Sequence, residues 1–138
     1  MENWLRHLTF HVAIGNNDAH AKNVAPMHLS TGAEIAQVYD ALPNLFQAGL
    51  VKWDLALAVK GIFDHRRLFV ESILAEANSW SVMAASRASA LVSETLVALD
   101  GAITEIAPPE GVSDDMIKHR QWNVRRLLAG EEISEPKS

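Results

Sequence analysis

The sequence predicts a mainly α-helical domain with one small β-hairpin. Apolar residues recur at helical spacing in four segments, and two short apolar runs flank a four-residue turn. The chain has 138 residues, of which 49% are hydrophobic and 21% charged, a composition that suits one compact domain. We assign residues 1–130 to this domain and residues 131–138 to a polar tail that we expect to fray.

The first helix is predicted over residues 2–13, and Gly15 ends it. Leu5, Leu8 and Val12 fall on one stripe, at positions i, i+3 and i+7. Residues 15–23 follow with the sequence Gly-Asn-Asn-Asp-Ala-His-Ala-Lys-Asn. Glycine, asparagine and aspartate favour turns over helix interiors, so we expect a loop here, held between two apolar segments. Loops of this kind often carry function.

A hairpin is predicted next, with arms at residues 24–29 and 34–38 around the turn-forming sequence Ser-Thr-Gly-Ala. Pro26 makes the first arm an edge strand at best. The second arm leads to Tyr39 and Asp40, and Pro43 then disfavours a helix. Residues 50–59 fit a short strand or a helix equally well, and Gly61 ends the segment in either case.

Three more helices are predicted in the second half of the chain. Asp64 can cap a helix that runs to about residue 79, with an apolar face of Leu68, Phe69, Ile73, Leu74 and Ala77. Residues 81–105 carry an apolar stripe made of Ala88, Val92, Thr95, Leu96, Leu99 and Ile103. After Pro108 and Pro109, Ser113 or Asp114 can cap a last helix to about residue 129, with Ile117, Val124, Leu127 and Leu128 inward.

Charge and composition exclude several classes of function. The net charge of -5 argues against nucleic-acid binding, since the closest basic clusters are two arginine pairs, at residues 66–67 and 125–126. Without cysteine the chain forms neither disulfides nor thiolate metal sites. It opens without a signal-peptide pattern and has no apolar stretch of about 20 residues that would span a bilayer. We therefore expect a cytoplasmic protein that binds neither nucleic acid nor membranes.

The loop at residues 15–23 has the residue types that phosphoryl transfer needs. Kinase catalytic loops supply a catalytic Asp followed five residues later by a metal-binding Asn, with a second metal-binding Asp further on. Asp18 and Asn23 have this spacing, and Asp40 follows the predicted hairpin. Amide and carboxylate oxygens are the hard ligands that Mg²⁺ prefers. The Asp-Asn spacing is a weak signal alone and gains weight from the residues around it.

The nine-residue loop, together with the later sequence Tyr-Asp-Ala-Leu-Pro at residues 39–43, resembles the C-terminal lobe of HipA-like toxin kinases. These are bacterial serine/threonine kinases of toxin-antitoxin pairs. The family loop has the form Asp-x-His-x-Lys-Asn, and a later Tyr-Asp takes the part of the usual metal-binding Asp-Phe-Gly. The similarity covers residues 5–43, and the downstream helices agree with a protein-kinase-like C-lobe only in kind.

The resemblance implies a role for each matching residue. Asp18 would be the catalytic base, and Asn23 and Asp40 would bind Mg²⁺. Lys22 would lie near the transferred phosphate, where its charge could offset developing negative charge, and His20 would shape the loop. ATP as co-substrate, a protein substrate and an antitoxin partner are implied in the same way.

The chain departs from the family pattern because it contains no nucleotide-binding N-lobe. No Gly-x-Gly-x-x-Gly and no Gly-Lys-Ser/Thr motif occurs in it. We therefore expect it to be the C-terminal part of a kinase, truncated or split, with negligible activity alone. We also expect such a lobe to expose apolar surface through which it could form a homodimer.

Two other classes of function stay open. His7 and His11 lie four residues apart on the first predicted helix, and with His20 and Asp18 they could form a metal site of a hydrolase. This site would lack the glutamate that follows the first histidine in zinc-protease helices. The chain could also be a non-catalytic interaction domain derived from a kinase lobe.

Overall fold

A computed structural model describes residues 1–19, 26–29, 32–35, 45 and 52–136 of the chain. These ranges contain four α-helices: α1 (Glu2–Ile14), α2 (Val70–Ser79), α3 (Ala85–Glu105) and α4 (Asp114–Leu128). They also contain four strands: β1 (Pro26–Leu29), β2 (Gly32–Ile35), β3 (Asp54–Val59) and β4 (Ile62–Asp64). The predicted mainly α class is confirmed, and so is the hairpin after the first helix.

The strands form two separate antiparallel hairpins. In the first, Pro26 pairs with Ile35 and Leu29 pairs with Gly32, so the second arm begins at Gly32, two residues before its predicted start. The open choice between strand and helix for residues 50–59 is settled for residues 54–59, which form strand β3 and pair with β4. Lys60 and Gly61 form the two-residue turn of this second hairpin with φ values of 50° and 77°, the left-handed conformation that hairpin turns favour.

Helix α3 packs against each of the other three helices and forms the centre of the domain. Its buried stripe consists of Ala88, Leu91, Val92 and Leu96, at the spacing of one helix face. Buried residues of the other helices and of β3 complete the core, among them Leu5, Ile73 and Leu127. Because α1 lies against α3 and α4, the loop that follows α1 departs from a rigid base.

The helix predicted from Asp64 to residue 79 is interrupted. Asp64 accepts a hydrogen bond from the Arg66 backbone and caps a short 3-10 helix, His65–Arg67. The chain is then extended at Leu68, and α2 begins only at Val70. Extension leaves the Leu68 carbonyl free of helix bonding, and it accepts a hydrogen bond from the Ile133 N–H at 2.9 Å. The break therefore gives the C-terminal segment a place to dock.

The expectation that the polar tail frays is wrong at Ile133 and Ser134. Ile133 is only 1% exposed, and its carbonyl accepts a hydrogen bond from the indole N–H of Trp122 at 2.8 Å. The Ser134 N–H donates to the Arg66 carbonyl at 2.8 Å. The burial of one apolar side chain and the hydrogen bonds of its backbone and its neighbour anchor the segment. Two other side chains predicted to face inward, Phe69 and Leu128, are exposed.

No helix in the described ranges is both long enough and apolar enough to cross a membrane.

Replacing Ile133 with alanine should lower the free energy of unfolding by about 2–5 kcal/mol, because the side chain is fully enclosed by the core. Ile106→Ala is the matched control: Ile106 is 67% exposed, and the change should stay within about 0.5 kcal/mol. Urea unfolding curves of the two variants and of the unchanged protein measure this difference in the free energy of unfolding. Equal, small effects would mean that the C-terminal segment does not pack in solution.

Candidate functional site

The loop that carries Asp18 starts from a closed helix end. Gly15 donates its N–H to the Val12 carbonyl, and Asn16 donates its N–H to the His11 carbonyl, at 3.3 and 3.0 Å. This pair of bonds is the Schellman arrangement, in which two residues beyond a helix satisfy its last carbonyl groups. The direction in which the chain leaves α1 is therefore set by backbone hydrogen bonds.

Gly15 is required at this point for two reasons. Its φ of 75° is left-handed, a conformation that glycine adopts without cost. A side chain would also meet close neighbours, since a Cβ would lie 3.3 Å from the Leu45 Cβ and 3.4 Å from the Asn123 Nδ2. The Gly15 carbonyl accepts a hydrogen bond from the Leu45 N–H at 3.1 Å. The start of the loop is thus held from several sides.

Asn16 connects the helix to Asp18. Its side-chain Oδ1 accepts the Asp18 N–H at 3.1 Å, and its Nδ2 lies 3.0 Å from Nδ1 of His11. Because Oδ1 is the acceptor for Asp18, Nδ2 is the donor toward His11, and Nδ1 of that ring accepts. Asn16 is 2% exposed, so this bridge is protected from water. Both the backbone and the side chain of Asn16 are bonded to His11.

The bridge requires a neutral His11. Burial, and to a smaller extent the nearby His7, lowers the pKa of His11 below its ordinary value. The neutral ring carries its proton on Nε2 and keeps Nδ1 as an acceptor. A protonated ring would present a second donor to the Asn16 Nδ2, which would break the bridge.

Asn17 ties the loop to the second hairpin. Its carbonyl accepts the N–H of Ala56 in β3 at 2.9 Å, and its side-chain Nδ2 donates to the Lys52 carbonyl at 3.1 Å. Consecutive loop residues are therefore anchored to different elements, Asn16 to α1 and Asn17 to the hairpin. Asp18, the next residue, is exposed at the end of this anchored stretch.

His65 joins the second hairpin to α1. The ring is fully buried, and its Nε2–H donates to the Val12 carbonyl at 2.7 Å, the same carbonyl that accepts the Gly15 N–H. Burial lowers the pKa of His65 from 6.5 to about 4, which exceeds the opposing effect of the bond to Val12. His65 is therefore neutral at physiological pH and acts as a fixed donor.

A cavity of about 240 Å³ lies beside the loop, between α1, β3 and α2. Its walls are mostly apolar and include Trp4, Leu55 and Trp80, while Asn16 and Asn17 contribute from the loop. The bridge that holds Asp18 therefore lies between the domain core and this opening.

Of the five residues predicted to form the site, Asp18 lies in the described part of the chain. His20, Lys22, Asn23 and Asp40 lie outside the described residues, and their predicted roles stay predictions. For Asp18 the structure shows an exposed carboxylate residue on a backbone fixed by Asn16 and Asn17. Residues on surface loops that a rigid scaffold holds often carry function.

This loop and the helical scaffold around it agree with one known family. Residues 1–103 match the profile of the HipA-like C-terminal domain. The chain belongs to this family. Membership relates it to the kinases of toxin-antitoxin pairs. No curated protein gives a significant match.

The hydrolase alternative gains no support from the described part of this HipA-like domain. The Nδ1 of His11 accepts the Asn16 amide, so that nitrogen is already in use. Within the described ranges, no three histidine or acidic side chains come together as a metal site. Because His20 lies outside those ranges, the complete four-residue hypothesis stays a prediction.

Sequence reasoning missed the buried polar residues that lie at the start of the HipA-like loop or beside it. The sequence predicts His11 only as a metal ligand and predicts no role for His65 or Asn123. Asn123 carried a usable signal, because it lies four residues before Leu127 on an inward helix face where a polar residue is unusual. His65 gave no such signal, since it follows a strand and its partner Val12 is distant in the chain.

The stability of the HipA-like domain should fall as the pH is lowered from about 6.5 to 4. Above 6.5 His65 is neutral in the folded and unfolded states; below it, only the unfolded state gains the proton. Across this pH range, the free energy of unfolding that His65 contributes should fall by about 3 kcal/mol. Urea unfolding at several pH values should show a smaller loss for His65→Gln than for the native chain. Parallel pH profiles for the two proteins would contradict a neutral, buried His65.

Proposed function

We propose that this chain is the catalytic-loop lobe of a HipA-like serine/threonine kinase. It would act in the transfer of the ATP γ-phosphoryl group to a protein hydroxyl. The observation that carries the proposal is the exposed Asp18 on a loop fixed by Asn16 and Asn17, in a chain that belongs to the HipA-like C-terminal domain family.

Asp18 would accept the proton of the attacking hydroxyl as the new bond to phosphorus forms and the bond to ADP breaks. This role depends on orientation, since a general base works only within hydrogen-bond reach of the proton. The bonds from Asn16 and from Ala56 hold the backbone that carries the Asp18 carboxylate.

Asn23 and Asp40 are the residues that would hold Mg²⁺, and Lys22 would lie near the transferred phosphate. The predicted ligands are an amide oxygen and a carboxylate, a donor set that fits Mg²⁺. When bound, the metal would neutralise charge on the phosphate oxygens. His20 keeps the role of a loop-shaping residue in this proposal.

The proposal includes a second lobe, because the chain contains no glycine-rich phosphate loop. Phosphoryl transfer depends almost entirely on positioning and charge, so a lobe that holds the nucleotide is indispensable. A protein substrate and an antitoxin would be partners in the complete assembly, which we place in the bacterial cytoplasm.

A second candidate function is a non-catalytic interaction domain. It is favoured by apolar side chains exposed on the second hairpin, Leu57 and Phe63, which are 43% and 53% exposed. Such a surface could also support the predicted homodimer. An interaction domain would not depend on the Asp18 carboxylate, and this difference separates the two functions.

The test is transfer from radiolabelled ATP and Mg²⁺ to protein, with the nucleotide-binding lobe of a HipA-like kinase supplied in trans. We expect transfer by the mixture, a loss of about 10²–10⁴-fold with Asp18→Asn, and background levels for the chain alone. Asp115→Asn is the matched control, because Asp115 is an exposed carboxylate in the first turn of α4.

Three results would count against the kinase proposal. Undiminished transfer by Asp18→Asn would remove the catalytic role and favour the interaction domain. An inactive mixture would contradict the lobe complementation. Robust transfer by the chain alone that Asp18→Asn abolishes would support Asp18 as the catalytic base. It would contradict the proposal that a second lobe is needed.

A further inference from the structure

Helix α4 carries two polar residues that are buried one turn apart. Asn123 is fully buried, and His119 is 9% exposed. Residues four apart lie on the same side of a helix, so both side chains belong to the face that also carries the buried Leu127. An amide and an imidazole thus occupy positions where the rest of the helix places apolar side chains.

These buried groups lack hydrogen-bond partners within the described ranges. Both Nδ2 and Oδ1 of Asn123 are unpaired there, and so is Nε2 of His119. An unpaired buried polar group disfavours folding, and native proteins keep few of them. Leucine has the same number of side-chain heavy atoms as asparagine and the same branching at Cγ, and its larger methyl groups would occupy this position without an unpaired polar atom. Packing alone therefore does not explain an amide at position 123.

The polar edges of both side chains lie against the first residue of the Asp18 loop. A Cβ built at Gly15 would lie 3.4 Å from Nδ2 of Asn123 and 3.8 Å from Cε1 of His119. Gly15 is the left-handed residue at which the chain turns from α1 into the loop. Two side chains from a helix more than 100 positions later thus limit the space around that turn.

His119 also packs near Trp53, with ring centroids 6.2 Å apart, just before β3. Trp53 accepts through its carbonyl the N–H of His65, whose ring bonds the end of α1. The buried face of α4 therefore lies near both ends of this contact region, Gly15 at the end of α1 and Trp53 at the start of the second hairpin.

We propose that Asn123 and His119 are positioning residues for the Asp18 loop. They fix the backbone at Gly15, and through it the bonds of Asn16 to His11 and Asp18. Helix α4 lies beyond residues 1–103, which match the family profile, so the match itself assigns nothing to it. The inference concerns loop geometry and holds independently of whether Asp18 is a catalytic base.

The test compares global stability with local opening in Asn123→Leu. Native-state hydrogen exchange measures how often two backbone hydrogen bonds open: the bond from the Asn16 amide to His11 and the bond from the Ala56 amide to Asn17. We expect the urea midpoint to change little, because loss of the unpaired amide offsets the larger side chain, while the Asn16 and Ala56 amides exchange about tenfold faster or more. His119→Phe, which keeps an aromatic ring beside Trp53, should show the same pattern.

Val124→Ala is the matched control, because Val124 is fully buried on the same helix and entirely apolar. It should lower the midpoint and raise exchange at the loop only as far as global unfolding does. Unchanged loop exchange in both Asn123→Leu and His119→Phe would overturn the proposal. So would failure of Asn123→Leu to fold, or a loss of stability that fully accounts for its loop exchange, since the amide would then be structural.

Discussion

The structure depends on how the carbonyl groups at the end of α1 are satisfied. A helix leaves its last carbonyls without internal partners, and a buried end must find donors elsewhere. Here the Val12 carbonyl accepts from the Gly15 backbone and from the His65 ring, and the His11 carbonyl accepts from the Asn16 backbone. These bonds join three parts of the chain: the helix, the loop that follows it, and the second hairpin.

This arrangement explains how a short, polar loop is held without being buried. Gly15 and Asn16 are enclosed, Asn17 is half-buried and Asp18 is exposed, so the chain moves from the core to the surface in four residues. Gly15 and Asn16 are bonded to α1, and Asn17 is bonded to the second hairpin. These bonds leave little freedom at the point where Asp18 begins. A general base gains from such preorganisation, because little orientation has to be acquired during reaction.

The chemistry of the histidines is consistent with a structural use. His11 and His65 each present one defined nitrogen to a fixed partner, and burial lowers the pKa of both. A neutral imidazole can be donor on one side and acceptor on the other, whereas a charged one can only donate. The hydrogen bonds of these two rings at the start of the loop therefore form at neutral pH and weaken on acidification.

Much of the fold could be predicted from local patterns. Apolar spacing indicated α1, α3 and α4 to within a few residues, and Gly15 marked the helix end. The break at Leu68 and the docking of Ile133 could not be predicted, because each depends on a partner distant in sequence. The site was recognised from its spacing, with Asp18 as the described member. His65 and Asn123, which position the loop, are distant from it in the sequence and share no short motif with it.

The central claim is that the Asn16 side chain positions Asp18 from α1. The most direct measurement is amide exchange at Asp18, with the ¹⁵N shift of His11 Nδ1, in Asn16→Ala and in the exposed control Asn78→Ala. Asn16→Ala should remove the protection of the Asp18 amide, move the Nδ1 resonance and lower stability by about 1–3 kcal/mol, with no such changes in the control. A protected Asp18 amide and an unmoved Nδ1 resonance in Asn16→Ala would contradict the account.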